Sequence, residues 1–512
     1  MLAAVALGLA GCAGGSGRFP AEPPMWRDHG DFMPFSPMPA VYRSPRVADA
    51  VDNSLFGPID RFLGVDTAAR AVNVNAVDEV PDSSWFENRM GRLAGRAEML
   101  RRGPCVAGAA EPMRDPRGPW TVVAGKPGGS TPGFTIRDET GQRYLIKLDR
   151  RSTGERPSSG DVIGSLIYHA AGFNVPCNRV ALFSRDILRI APGATAEDDI
   201  GDPYPLTPAV IDQTLARALR LSDGRYRAVA SKLIAGEPLG AWVDFGVRPD
   251  DPNDVVPHQD RRELRGTYLL AAMLDHYDAR EQNTLDVWVP VDRRSGTGWV
   301  KHYFIDFGDA FGTLSRRSRT ARRRGVVHEL DLGLFFSELF TLGVRAQPWQ
   351  ERRLGPAGAV LGYYNVRDFD PETWSTGYPF GPFARRTEGD LAWMARILAR
   401  LSHRDLRVII DQAIIADPVM RAELTRVLLG RRDMLLRRYL GRLSPLADPF
   451  VRDGRLCLRD LAVSAGVAEG AVEVCTPLPE PAPDYHVVTI RVRATAAIRV
   501  HLRGQVVVGL ER

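Results

Sequence analysis

The segment from Arg261 to Gly308 constrains this chain more than any other. Leu264, Tyr268, Leu269, Ala272 and Met273 recur at helical spacing, so Arg261 to Asp275 reads as an amphipathic helix. It feeds straight into a polar turn, His276-Tyr277-Asp278-Ala279-Arg280-Glu281-Gln282-Asn283. Thr284–Val289 and Trp299–Ile305 then read as strands joined through Asp292–Gly298, and this hairpin ends in Asp306-Phe307-Gly308.

With 512 residues, 44% apolar and 25% charged, the chain can bury a sizeable core and hold two to four domains. No run of about 18 uncharged apolar residues occurs, which excludes a multi-span membrane protein. The 49 Gly and 38 Pro follow no period and read as turns in a loop-rich globular chain without internal repeats. A net charge of +5 is mild for this length, and no interleaved basic and aromatic pattern points to nucleic acid. More telling is that only four of the 67 basic residues are lysine, at 126, 147, 232 and 301. Where a cation serves only solubility Arg does equally well, so each Lys raises the question of whether a compact ammonium is needed there.

Residues 2 to 11 form a short apolar stretch ending at Cys12, and Leu9-Ala10-Gly11-Cys12 resembles a bacterial lipobox. The resemblance implies a signal peptide over 1–12, lipidation of Cys12, a membrane anchor and a cell-envelope location facing the periplasm. The basic segment that normally opens such a leader is absent, and an untargeted chain would be cytoplasmic. Cys105, Cys177, Cys457 and Cys475 then remain, an even number compatible with an oxidising compartment. Cys457 and Cys475 flank one short segment and could pair or stay as buried thiols.

Residues 13–118 read as an extension wrapping the body, with Ala68 to Val80 and Glu87 to Arg102 as its ordered pieces. From Trp120 the pattern becomes strand-like: Trp120–Val123, Gly133–Arg137, Gln142–Leu148, then Val180–Phe183 and Tyr226–Leu233. Residues 160–172 have helical periodicity that Gly172 stops. Beyond the hairpin, helices are expected over Leu330–Leu342, Glu388–Leu401, Asp405–Ala416 and Pro418–Arg438, and residues 446–512 read as a small β module.

The order His276-x-Asp278-x4-Asn283, strand pair, Asp306-Phe307-Gly308 resembles the protein-kinase-like superfamily, over about residues 119 to 445. It implies an α+β, bilobal fold with an N-lobe over 119–240 and a helical C-lobe over 241–445. It also implies transferase chemistry with ATP and Mg²⁺ on an unknown acceptor. Phosphoryl transfer is mostly positioning and charge neutralisation, which needs a carboxylate base and oxygen ligands for the metal. By the resemblance Asp278 is the base, Asn283 and Asp306 hold metal, and Arg280 stands where a cation touches the transferred phosphate. Lys147, in Tyr144-Leu-Ile-Lys147, takes the place of the nucleotide lysine, with Asp161 as its acidic partner and Glu155 as second candidate. The loop from Gly125 to Gly133 has the small residues, Gly128, Gly129 and Gly133, that could cradle phosphates, although it is not G-x-G-x-x-G. No A-P-E follows Gly308, and His169-Ala-Ala-Gly172-Phe-Asn-Val-Pro176 resembles a turn of the HipA-type and phosphoinositide-kinase branches. An atypical kinase, a catalytically silent kinase-like scaffold binding a partner, and a nucleotide sensor without turnover are the functions this leaves open.

Other clusters have plainer readings. His403-Arg404-Asp405 imitates the kinase tripeptide, but Ile410 stands where Asn is required, and Ser402-x-x-Asp405 reads as a helix cap. Asp250 to Asp254 reads as a solvated turn rather than a cation loop, and His258 as a surface residue. Arg316, Arg317, Arg319, Arg322, Arg323 and Arg324 form either a solvated loop or a receiver of anionic substrate.

Overall fold

The computed structural model describes residues 19–20, 22–42, 51, 55–59, 69–90, 96–105, 113, 115–126, 131–198, 202–292, 294–312, 318–342 and 344–512. Cys12, Gly128, Gly129, Arg316 and Arg317 lie outside them.

Short runs with alternating burial build a seven-stranded sheet from β1 (Trp120–Gly125), β2 (Gly133–Arg137), β3 (Arg143–Leu148), β4 (Asn178–Phe183), β5 (Leu188–Glu197), β6 (Pro203–Pro205) and β7 (Tyr226–Lys232). Its order is β4-β7-β3-β2-β1-β5-β6, and every pair is antiparallel except β1 with β5. One face buries Trp120, Val122, Phe134, Ile136, Ile146 and Leu148 in a core of its own. The edge formed by β5, β6 and the helix Pro208–Ala216 has no counterpart in the sequence reading. Its strand β5 carries Pro and Gly in mid-run, which breaks the periodic signal.

Helix α1 (Arg96–Arg102) belongs to the amino-terminal extension, and α2 (Arg156–Ala171) lies between the sheet and the main core. Gly172 does stop α2, at φ 121°. Helix α3 (Pro208–Ala216) closes the sheet edge. The second lobe is built on the fully buried α4 (Arg262–Leu274), followed by the hairpin of β9 (Thr284–Asp292) and β10 (Thr297–Phe304), which β8 (Glu237–Gly240) extends to three strands. Helices α5 (Ser318–Arg323), α6 (Leu332–Phe340), α7 (Glu388–Ala399), α8 (His403–Asp411) and α9 (Pro418–Leu440) complete it. Among the described residues no helix is long and apolar enough to cross a membrane.

The carboxyl end forms two three-stranded sheets, Leu446–Pro477 and His486–Glu511, around Leu446, Leu458, Ile498, Val500 and Leu502. Val77 of the extension completes that core. Next to it, Asp78 binds Arg262 at 2.6 Å, Arg396 at 3.1 Å and Arg512 at 2.9 Å, joining extension, helical lobe and chain end. The extension is ordered over 69–90 but irregular, and α1 is the helical part of the expected Glu87–Arg102 piece. Trp85 stacks on His302 with ring centroids 3.5 Å apart, so the wrap is held by core contacts.

Two disulfides are present. Cys457 and Cys475 face each other across a strand pair, and Cys105 ties the extension to Cys177 beside β4. Two expectations fail in one place. His258 is fully buried, its Nε2 2.7 Å from Asp254 Oδ2, and it packs on Trp85 and Trp242. Asp254 also accepts from Arg248 N at 2.7 Å and Arg261 at 3.3 Å, so the solvated-turn reading fails at the buried Asp254, while Asp250 at the other end of the run is exposed and pairs with Arg248. A locally polar run gives no sign that it will be buried together with the arginines on either side of it.

Candidate active site

Lys147 sits on β3 with Gly133 opposite it on β2. A Cβ at Gly133 would lie 2.1 Å from the Ile146 carbonyl oxygen, so that glycine keeps the strands close. The Lys147 Nζ lies 2.6 Å from Asp161 Oδ2 and 2.9 Å from Asp306 Oδ1. Burial pulls this ammonium down, but the two carboxylates outweigh burial and hold its pKa above the ordinary lysine value, so it stays charged. Lys147 in turn holds Asp306 below its usual range, while burial pushes Asp161 up. Glu155, the second candidate, is committed elsewhere: it accepts from Ala416 N at 2.8 Å and pairs with Arg227 at 3.4 Å.

Asp161 is one methylene shorter than the Glu the resemblance implies, and the packing of α2 accounts for it. Gly160 and Gly164 lie one turn apart against Phe307. A Cβ at Gly160 would come 2.6 Å from the Phe307 carbonyl oxygen, and one at Gly164 would come 2.6 Å from Phe307 Cβ. The helix therefore rides close enough for a short carboxylate to reach both Lys147 and the Phe307 N–H, which donates to Asp161 Oδ1 at 2.9 Å. Asp306 itself adopts φ 56°, a left-handed conformation that these contacts fix.

The turn after α4 holds the other acid. Asp278 Oδ2 accepts from Asn283 Nδ2 at 3.1 Å, and the same amide donates to the Asp278 carbonyl at 2.6 Å. The Asn283 side-chain amide is thereby committed through its nitrogen to Asp278. Arg280 Nε lies 2.8 Å from Asp278 Oδ1, with its guanidinium 4.3 Å from the Tyr378 ring centroid, so it is held beside this carboxylate. Burial, reinforced by the charge of Asp309, pushes Asp278 up to about 6 against the opposing pull of Arg280 and His276.

Asp309 escapes the sequence reading. Its Oδ1 lies 2.6 Å from His276 Nδ1 and its Oδ2 accepts from Asp278 N at 2.8 Å, so it clamps the turn to the segment after Asp306. Burial pushes Asp309 up, but His276 outweighs it and keeps this acid well below the usual carboxylate range. Its position three residues past Asp306, in a stretch already singled out, is the available signal. Lys126, at the start of the Gly-rich loop, interacts electrostatically with Asp306 and Asp161; burial and Lys147 lower its pKa.

Lys147, Asp161 and Asp306 thus form one ion-paired cluster, and the turn carrying Asp278 and Asn283 is tied through Asp309 to the segment after Asp306. Solved structures of protein kinases are among those this chain resembles. They include a Helicobacter pylori proinflammatory kinase, CtkA, with 10% identity, 62% of this chain and 94% of that chain covered, and a TM-score of 0.30. The Golgi casein kinase with Mn/ADP bound gives 8% identity, 64% and 74% coverage, and a TM-score of 0.29. No family model and no curated protein matches the chain. The architecture is α+β and bilobal, with small β sheets at the carboxyl end.

Asn283 and Asp306 offer hard oxygen donors, the chemistry Mg²⁺ requires. The decoy His403-Arg404-Asp405 is a helix start: Ser402 and Asp405 form a capping box, and Asp405 binds Arg96 at 2.7 Å. In the basic run, Arg322 bonds Tyr363 Oη at 2.9 Å, while Arg323 and Arg324 lie over the rings of Trp349 and Tyr277. These three are anchored to the body of the lobe, which departs from the solvated-loop reading.

Proposed function

We propose that this protein is an atypical kinase that transfers the terminal phosphoryl group of ATP to a hydroxyl-bearing acceptor. The observation that carries the reading is the charged Lys147 held between Asp161 and Asp306. Lys147 would hold the nucleotide phosphates, with Lys126 and the Gly-rich loop beside it. Mg²⁺, held by Asn283 and Asp306, would supply charge neutralisation at the phosphates. Asp278 accepts the proton of the acceptor hydroxyl as its oxygen bonds to the terminal phosphorus and the bond to the bridging oxygen of ADP breaks. Arg280 then stands beside the charge that develops on the transferred group.

A second reading is a kinase-like scaffold that binds a partner without turnover. It is favoured by the two disulfides and the lipobox-like leader, which fit a lipid-anchored envelope protein facing an oxidising compartment where ATP is scarce. Incubation with terminally labelled ATP, Mg²⁺ and cell-envelope extract separates the two. The kinase reading expects labelled product that disappears in Asp278→Asn; label transfer that survives this change would remove Asp278 from the base role, and none from wild type would favour the scaffold.

A further inference from the structure

Two of the four lysines, Lys232 and Lys301, play no part in the cleft described above. Both line a separate cleft of about 1000 Å³ beside the linker 233–236 that leaves β7. The loop 174–177 after α2 and the β9–β10 hairpin form its other walls, and Cys177, tied to Cys105, is on its lining. Arg89 and Arg143 add two cations, and Glu237 is the one acid among the described lining residues.

Arg89 has partners: Glu87 at 3.1 Å and the carbonyls of His169 and Phe173 at 2.9 and 2.8 Å. Lys232, Lys301 and Arg143 have no carboxylate partner among the described residues. The Lys301 ammonium instead lies 5.7 Å from the Tyr303 ring centroid. Burial and then the charge of Arg89 depress the Lys301 pKa against a weaker pull from Glu87, and His169 is pulled down to about 3 by burial together with Arg89, Lys301 and Arg102. The wall of this cleft is therefore a region of positive potential that its own acids do not balance. Holding Lys301 half-buried with no carboxylate at ion-pair distance costs folding free energy, while Lys232 is half-buried and Arg143 exposed at the cleft wall.

We propose that this cleft is a binding site for a small anion carrying two or more phosphate groups, distinct from the nucleotide site. The choice of lysine supports phosphate, since an ammonium binds it as a compact point charge. A chain that uses arginine almost everywhere else places one pair of its lysines in each of the two clefts. The anion would supply the charge that Glu237 alone does not.

Four lysines make amine footprinting a residue-resolved test on the full wild-type chain. Reductive methylation followed by mass spectrometry is run with and without saturating inorganic tripolyphosphate, in the absence of divalent metal. The proposal predicts at least a tenfold slowing of labelling at both Lys232 and Lys301; a smaller change at either overturns it. Lys126 reports on the nucleotide cleft in the same spectrum, so failure of one reading leaves the other legible. As a second measurement, tripolyphosphate should raise the Tm of the wild type and leave that of a Lys232→Gln, Lys301→Gln variant unmoved. Without the anion the variant should melt at or above the wild-type temperature; a fall of several degrees would show that the lysines serve the fold and would refute the proposal.

Discussion

Replacing Asp161 by Glu installs the residue the kinase resemblance implies, and the structure predicts that it harms the protein. Asp161 is buried, with Oδ2 2.6 Å from Lys147 Nζ and Oδ1 2.9 Å from Phe307 N, so neither contact has slack. The extra methylene lengthens the side chain by about 1.5 Å. Helix α2 cannot retreat to absorb it without losing the contacts of Gly160 and Gly164 with Phe307. Overpacking a tight buried site typically costs about 1–3 kcal/mol. Taking about 2 kcal/mol, Asp161→Glu should weaken ATP·Mg²⁺ binding or folding by roughly thirtyfold. Guanidinium unfolding and calorimetric titration on the same variant read the two effects apart. An Asp161→Glu variant as stable as wild type, with nucleotide affinity equal or better, would refute the argument that the glycines set the helix close.

Transfer activity should fall as pH drops through about 6, because Asp278 must be ionised to accept a proton and burial has raised its pKa to that value. A pH profile of labelled product checks this, and a rate unchanged down to pH 4.5 would contradict it. The same raised pKa means the folded state binds this proton more tightly than the unfolded chain, so that Asp278's contribution to stability is greatest at low pH and is lost as pH rises through about 6. Cys457 and Cys475 close a loop with a sequence separation of 18, and removing that link by Cys457→Ser with Cys475→Ser should cost about 3 kcal/mol in the chain-entropy account. Denaturant unfolding measures it, and no loss would show that the β module is held by its core alone. Palmitate labelling in a bacterial host should mark the wild-type chain and not Cys12→Ala; equal labelling would remove the lipid anchor.

The part of the site legible in the sequence is the part fixed by chain order. His276, Asp278, Asn283 and Asp306 lie on one helix-turn-hairpin unit, where spacing along the chain translates directly into position. Lys147 can be placed because β3 reads clearly and lysine is scarce. What escapes depends on contacts across long separations. The Gly160 and Gly164 bed for Phe307 is invisible until α2 is docked, since glycine in a helix by itself signals weakness. His258 reads as surface because its neighbours in sequence are polar, yet Trp85 of the extension and Trp242 before α4 pack on it and bury it. The Cys105–Cys177 link joins residues 72 apart and carries no spacing signal.

The central claim is a nucleotide site built on Lys147 and Asp306. Calorimetric titration of ATP with and without Mg²⁺ into the full chain, beside Lys147→Ala and Asp306→Ala, tests it most directly. Metal-dependent binding is expected in the wild type, abolished by both substitutions while the variants remain folded. A folded wild-type protein that takes up no heat at millimolar ATP and Mg²⁺ would contradict it.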